Sequence, residues 1–246
     1  VNKVPGNAPK ELVRFLTENG YHPRSSSHGD AMCRFLLNDL YSNCPALKVM
    51  ADKGAIVYQA NYTVNEGTPS RWTIDLVIGR SGGEPRLPGA PIARANPSEV
   101  WIAVDAKAIM TEHGKARRNR QRDLNSMADI LHRMRPVPIT GAYVVINMAS
   151  RFRSPLRKEP IQHRNIERMV AETIPLVLEI LEDRMKGRPG LDAAGVSVID
   201  YTNLPGSECR LVEGPPAPDS TSPLYYDNFL SKLCHEFTAR FSSESS

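Results

Sequence analysis

Two short apolar runs, each broken by one acidic residue, constrain this chain more than any other feature. WTIDLVIG (72–79) carries Asp75 among Ile74, Leu76, Val77 and Ile78, and VWIAVDAKAIM (100–110) carries Asp105, with Lys107 two residues on. Both read as buried strands. In the second run a period of two puts Trp101, Ala103, Asp105 and Lys107 on one face, and Ile102, Val104 and Ala106 on the other. Charged side chains are rarely buried without a partner or a metal, because removing them from water is unfavourable. The two acids therefore demand an explanation that the apolar residues do not.

The surrounding chain supplies a frame for these strands. A helix is predicted over 10–20, with Leu12, Val13 and Leu16 on one side and Gly20 at its end. A second is predicted over 30–41, where Met32, Phe35, Leu36 and Leu40 keep helical spacing and Asp30 stands at the start to cap free amides. AIVYQANYTV (55–64) reads as a strand, NEGTPS (65–70) as a turn, and residues 80–98 as a long Gly/Pro-rich connection. Beyond the second acidic strand come a helix over 119–134, a buried strand over 141–149, and a helix over 161–185 kinked at Pro175. A strand over 195–202, a Pro-rich loop over 203–223 and a last helix over 224–241 complete the chain. From residue 30 the order is α-β-β-β-α-β, followed by α-β-α.

Length and composition, 246 residues with 41% hydrophobic and 24% charged, suit one domain with a sizeable core. No apolar run approaches the ~18 residues of a membrane helix. The net charge of +4 decides little, but its distribution is uneven: residues 113–122 hold five Lys or Arg and no acid. Arg151, Arg153, Arg157, Lys158, Arg164 and Arg168 form a second group. Such clusters fit a phosphate backbone; a solvated basic face is the alternative. Cys33, Cys44, Cys209 and Cys234 are scattered without a CxxC, which argues against a zinc site and is simplest for a reduced, cytoplasmic protein. No GxxxxGK[ST] loop and no HxxxH or HExxH pairing is present.

Asp75 on one strand, then Asp105-x-Lys107 on the next, resembles the motif of the PD-(D/E)xK nuclease superfamily. The resemblance covers about 30–150, and it implies an α/β fold with the restriction-endonuclease-like αβββαβ core. That core is a central mixed sheet flanked by helices, here with a C-terminal α-β-α extension over 151–246 in a single nuclease domain of 1–246. It implies a metal-dependent DNA endonuclease, a type II restriction enzyme first. An anti-phage effector nuclease with little sequence specificity, an RNA-cutting or repair nuclease and a non-catalytic nucleic-acid-binding domain of the same fold are the alternatives. By the resemblance Asp75, Asp105 and the backbone carbonyl of Ala106 would ligate Mg²⁺, with Mn²⁺ as a substitute, and Asp30 from the first core helix could join them. Lys107 would orient or deprotonate the attacking water, or stabilise the developing charge. Plainer readings stand beside these: a strand-end salt bridge for Asp105 and Lys107, a turn cap for Asp75, a helix cap for Asp30.

Lys115, Arg117, Arg118, Arg120 and Arg122 are candidates for double-stranded DNA phosphates, with Gln121 as a helix-borne polar residue of the kind some relatives use. Glu112 and His113 follow the third strand closely enough to reach substrate, or to belong to a polar loop. A double-strand break needs two centres, so a homodimer or higher oligomer is expected. The last helix, with Tyr226, Phe229, Leu233, Phe237 and Phe241, offers either interface or core.

Overall fold

The computed structural model describes residues 5–64, 72–83, 91–111 and 113–242. The predicted turn over 65–70, the middle of the 80–98 connection and Glu112 lie outside the described residues.

The N-terminal helices are α1 (Ala8–Asn19), α2 (Ser27–Asn43) and α3 (Pro45–Asp52). Three strands follow, β1 (Ile56–Val64), β2 (Trp72–Arg80) and the two-residue β3 (Ala93–Arg94), and then the long β4 (Glu99–Ile109). Helix α4 (His113–Leu131) leads to β5 (Ile139–Asn147). A small hairpin, β6 (Arg151–Phe152) with β7 (Ile161–Gln162), precedes α5 (Ile166–Ala171) and α6 (Ile174–Met185). The chain closes with β8 (Ala193–Asp200), β9 (Arg210–Leu211) and α7 (Tyr226–Phe241).

These elements build a mixed α/β architecture around one seven-stranded sheet of order β3-β1-β2-β4-β5-β8-β9. β1, β2 and β4 pair antiparallel, whereas β4, β5 and β8 run parallel. Parallel strands need crossovers, which α4 and the α5–α6 segment provide. Both faces of the sheet are therefore covered. α1, α2, α3 and α7 share one apolar core with Leu76, Ile78, Ile102 and Val104, and α4, α5 and α6 share another with Val77, Ala103, Val144 and Val196. Burial on both sides explains why β5 reads as a continuous apolar run rather than an alternating one.

Several boundaries differ from the predicted ones for physical reasons. Helix α4 begins at His113 rather than near 119, because Lys, Ala, Arg and Gln favour helix without leaving an apolar stripe to detect. The predicted 161–185 helix is two helices after a short strand, and Pro175 does not kink it. Proline sits in the first turn of α6, where its missing amide is harmless. Trp101 leaves the face predicted for it. Pairing passes from Ile78↔Ile102 to Gly79↔Val100, so Trp101 is the extra residue of a β-bulge. It stacks on Phe241 at 5.1 Å, in the same core as Ile102 and Val104. A Cβ on Gly79 would collide with the Glu99 carbonyl, so the bulge requires glycine there.

The aromatic stripe of α7 is core: Tyr226, Phe229, Leu233, Phe237 and Phe241 are all buried. It seats closely on β8 because a Cβ at Gly195 would stand 2.8 Å from the Phe229 ring. Nothing about this stripe remains to support a dimer interface. Cys44 and Cys234, far apart in sequence, form a disulfide with Cα atoms 5.3 Å apart, while Cys33 and Cys209 are free and buried. The inference of a reducing compartment from scattered cysteines therefore loses its premise. Among the described residues no helix is long and apolar enough to cross a membrane.

Candidate functional site

The β2–β4 ladder runs from Arg80↔Glu99 to Leu76↔Val104 and stops. One residue beyond its last pair stand Asp75 and Asp105. The Asp75 side chain takes the place of a ladder bond, its Oδ2 accepting the Ala106 amide at 2.8 Å. Asp105 and Lys107 continue the alternation of Ala103 and Ile109, which belong to the α4-side core. Lys107 Nζ lies 2.7 Å from Asp105 Oδ2 and 3.6 Å from Asp75 Oδ2. The three residues singled out from sequence thus meet at one point, where two strands have begun to part.

Their environments differ. The Asp105 side chain is 1% exposed, against 27% for Asp75 and 16% for Lys107. Lys107 is in ion-pair contact with Asp105 but off the direction a hydrogen bond needs, and neither Asp105 oxygen receives a hydrogen bond. Burial pushes the Asp105 carboxyl well above the usual carboxylate range, the neighbouring Asp75 carboxyl adds to this, and Lys107 opposes it. A buried carboxyl with unsatisfied oxygens is destabilising as it stands.

The first turn of α2 approaches the same point. Asp30 lies in that turn rather than at the cap, which is Ser26. Its oxygens accept from Ser26 Oγ at 2.8 Å and Asn61 Nδ2 at 3.3 Å. The structure thus commits Asp30 to neighbours of its own, near Asp75 and Asp105 but not joined to them. Two further residues stand here without a sequence signal. The Cys33 thiol is pushed up by burial and then by Asp75, Asp105 and Asp30, with Lys107 opposing. His28 packs against Tyr21 at 4.7 Å, and its Nδ1 is buried without a partner. Burial lowers its pKa, Asp30 and Asp75 oppose, and Arg120 from α4 adds to the lowering. α2 and α4 cover opposite faces of the sheet, so their electrostatic contact passes across the parted strands.

The basic helix α4 divides by face. Arg117 pairs with Glu172 at 2.7 Å and Gln121 donates to Glu179 at 2.9 Å, tying α4 to the segment that follows. Arg120 pairs with Asp123 and influences Tyr21 and His28. Lys115, Arg118 and Arg122 are exposed, fall at helical spacing on one side, and have no ion-pair partner among the described residues. His113 is not a loop residue. Its buried Nε2 lies 2.6 Å from the Asn147 carbonyl, its ring meets His163 edge-on at 4.9 Å, and burial lowers its pKa to about 4. It joins the start of α4 to the β6–β7 hairpin, so the two basic groups recognised in sequence are neighbours.

No family model, curated protein or solved structure matches the chain. The chemistry rests on the residues themselves. Among the described residues no cluster of three or more His, Cys, Asp or Glu is assembled for a metal. The donor set here is smaller and harder: two carboxylates, one of them with both oxygens unsatisfied. That set fits Mg²⁺, which keeps several waters and is held by one or two carboxylates. It does not fit a thiolate or imidazole metal.

Proposed function

We propose that the chain is a metal-dependent endonuclease that hydrolyses phosphodiester bonds in DNA. The observation that carries this reading is the buried Asp105 carboxyl, unsatisfied and beside Asp75 and Lys107 where β2 and β4 separate. The element order supports it as well. A helix, three antiparallel strands, a helix and a parallel strand follow one another from α2 to β5, if the short α3 and β3 are set aside. This is the order of the restriction-endonuclease-like core.

Asp75 and Asp105 would hold a Mg²⁺ ion, which supplies Lewis-acid activation of water and neutralises charge on the phosphate. Lys107 brings a cation to within 4 Å of both carboxylates, where it orients the attacking water and stabilises the negative charge that grows on the phosphoryl oxygens. The exposed Lys115, Arg118 and Arg122 place a positive stripe on the helix that leaves this strand, suited to successive phosphates of a duplex. Restriction of a defined sequence by a homodimer is the use we favour for one such site per chain.

Supercoiled plasmid incubated with Mg²⁺, Mn²⁺ or a chelator tests the reading. Metal-dependent nicking or linearisation is expected from the wild type. Tight binding with no cleavage under any metal would assign the chain to the non-catalytic class. Sequenced ends separate restriction, which gives one short motif, from an effector nuclease, which gives scattered ends.

A further inference from the structure

We propose that a hollow beside the carboxylates seats one nucleotide base, unstacked from the strand whose phosphate lies at Asp105 and Lys107. This rests on the nuclease reading and names what that site takes. The hollow lies between α1, α2 and the β1 edge of the sheet and has a volume of about 450 Å³. That is within the range of small-molecule sites, roughly 300–1,000 Å³. Its lining includes Leu76, the chain neighbour of Asp75, and Cys33, whose thiol feels both catalytic carboxylates. It therefore opens on the site already described.

The lining divides by chemistry. Phe15 and Tyr58 give two half-buried aromatic rings, and the Tyr58 hydroxyl has no hydrogen-bond partner among the described residues. Arg34 and Arg94 are exposed. Arg34 lies over the Phe35 ring at 4.9 Å and Arg94 donates to Gln59 at 3.2 Å, and neither has an ion-pair partner among the described residues. Asp30 and Asn61, hydrogen-bonded to each other, present a carboxylate and an amide. The carboxylate repels phosphate, so a nucleotide cannot enter phosphate first. Aromatic rings stack any base, free guanidinium groups meet the phosphates on either side of it, and a carboxylate accepts from an exocyclic amino group. The occupant is thus a base bearing such a group. A single strand, which gives up little stacking to present one, should be preferred over a duplex.

Binding measured in chelator, without cleavage, tests this with three probes. They are a short mixed-sequence single strand, its duplex, and an abasic strand of equal charge. The wild type should bind the single strand most tightly, about tenfold better than the abasic strand. Tyr58→Ala should shrink that ratio toward one, and Arg94→Ala, on an exposed edge, should weaken all three probes alike. Equal affinity for normal and abasic strands overturns the proposal, and metal-dependent plasmid cleavage by the same preparation would leave the nuclease reading standing. Base-dependent binding without any cleavage does the reverse. Failure to bind any probe overturns both.

Discussion

Asp105 and Asp192 are both buried acids on one sheet, and they have been treated oppositely by the fold. Asp192, at the start of β8, has every oxygen engaged. Oδ2 accepts from the Thr140 amide at 2.9 Å and the Thr140 hydroxyl at 3.1 Å, and Oδ1 from Arg184 at 3.0 Å and Arg240 at 2.9 Å. Burial pushes its carboxyl up, but Thr140, Arg240 and Arg184 outweigh that and hold it below the usual range. Asp105 has one cation at an unfavourable angle and a second carboxyl beside it, and it moves the other way. Burial of a charge is therefore no mark of function by itself. What separates the two is whether the protein has satisfied the group or left it for something else to satisfy.

The comparison breaks most visibly in catalysis. Asp105→Asn or Asp75→Asn should lower plasmid cleavage on the order of a thousandfold or more, while Asp192→Asn should keep its rate per folded molecule. Cleavage at the wild-type rate by either of the first two variants would remove them from the site. Stability should move in opposite directions. Asp192→Ala strands two arginines and should lose about 3 kcal/mol. Asp105→Asn relieves a buried carboxylate, leaves Lys107 with Asp75, and in chelator should gain about 1 kcal/mol. Denaturant melts of the three proteins read both signs, and Mg²⁺ should raise the melting point of the wild type but not of Asp105→Asn.

Acidity sharpens the same contrast. The folded pKa of Asp105 lies above its unfolded value, so its contribution to stability is present in acid and declines as pH rises through the folded pKa. The advantage of Asp105→Asn should accordingly appear at neutral pH and vanish in acid. Asp192 is depressed, so its contribution is present above the unfolded pKa and declines as pH falls through the folded one. Melts across acid to neutral pH should give slopes of opposite sign for the two variants relative to wild type. The smallest effect expected is on the surface. Removing Lys115, Arg118 or Arg122 should reduce the salt dependence of DNA binding by about 0.9 in log–log slope for each phosphate that is no longer neutralised. Removing Arg117, already paired with Glu172, should change it little.

The strands and their acids were legible because a charge inside an apolar, strand-forming run contradicts its surroundings. The period of two then placed Asp105 and Lys107 together. The same rule failed at Trp101, because a bulge adds a residue that periodicity cannot foresee. Helix α3 was missed altogether: its eight residues are too few for a helical stripe to stand out. His28 and Cys33 were not legible as site residues at all. They reach the carboxylates through the packing of α2 against the sheet, and nothing local in their sequence records that proximity. Asp192 shows the converse, a buried acid whose arginine and threonine partners lie far from it in the chain.

The disulfide between Cys44 and Cys234 closes a covalent ring with a sequence separation of 190, and all strands of the central sheet lie within it. A protease that cuts once anywhere inside that ring divides the chain without dividing the molecule. The nicked protein would migrate as one piece until a reductant is added and as two afterwards. Damage to the long connection between β2 and β4 would then leave the two halves of the carboxylate site tethered, free to separate and to find each other again.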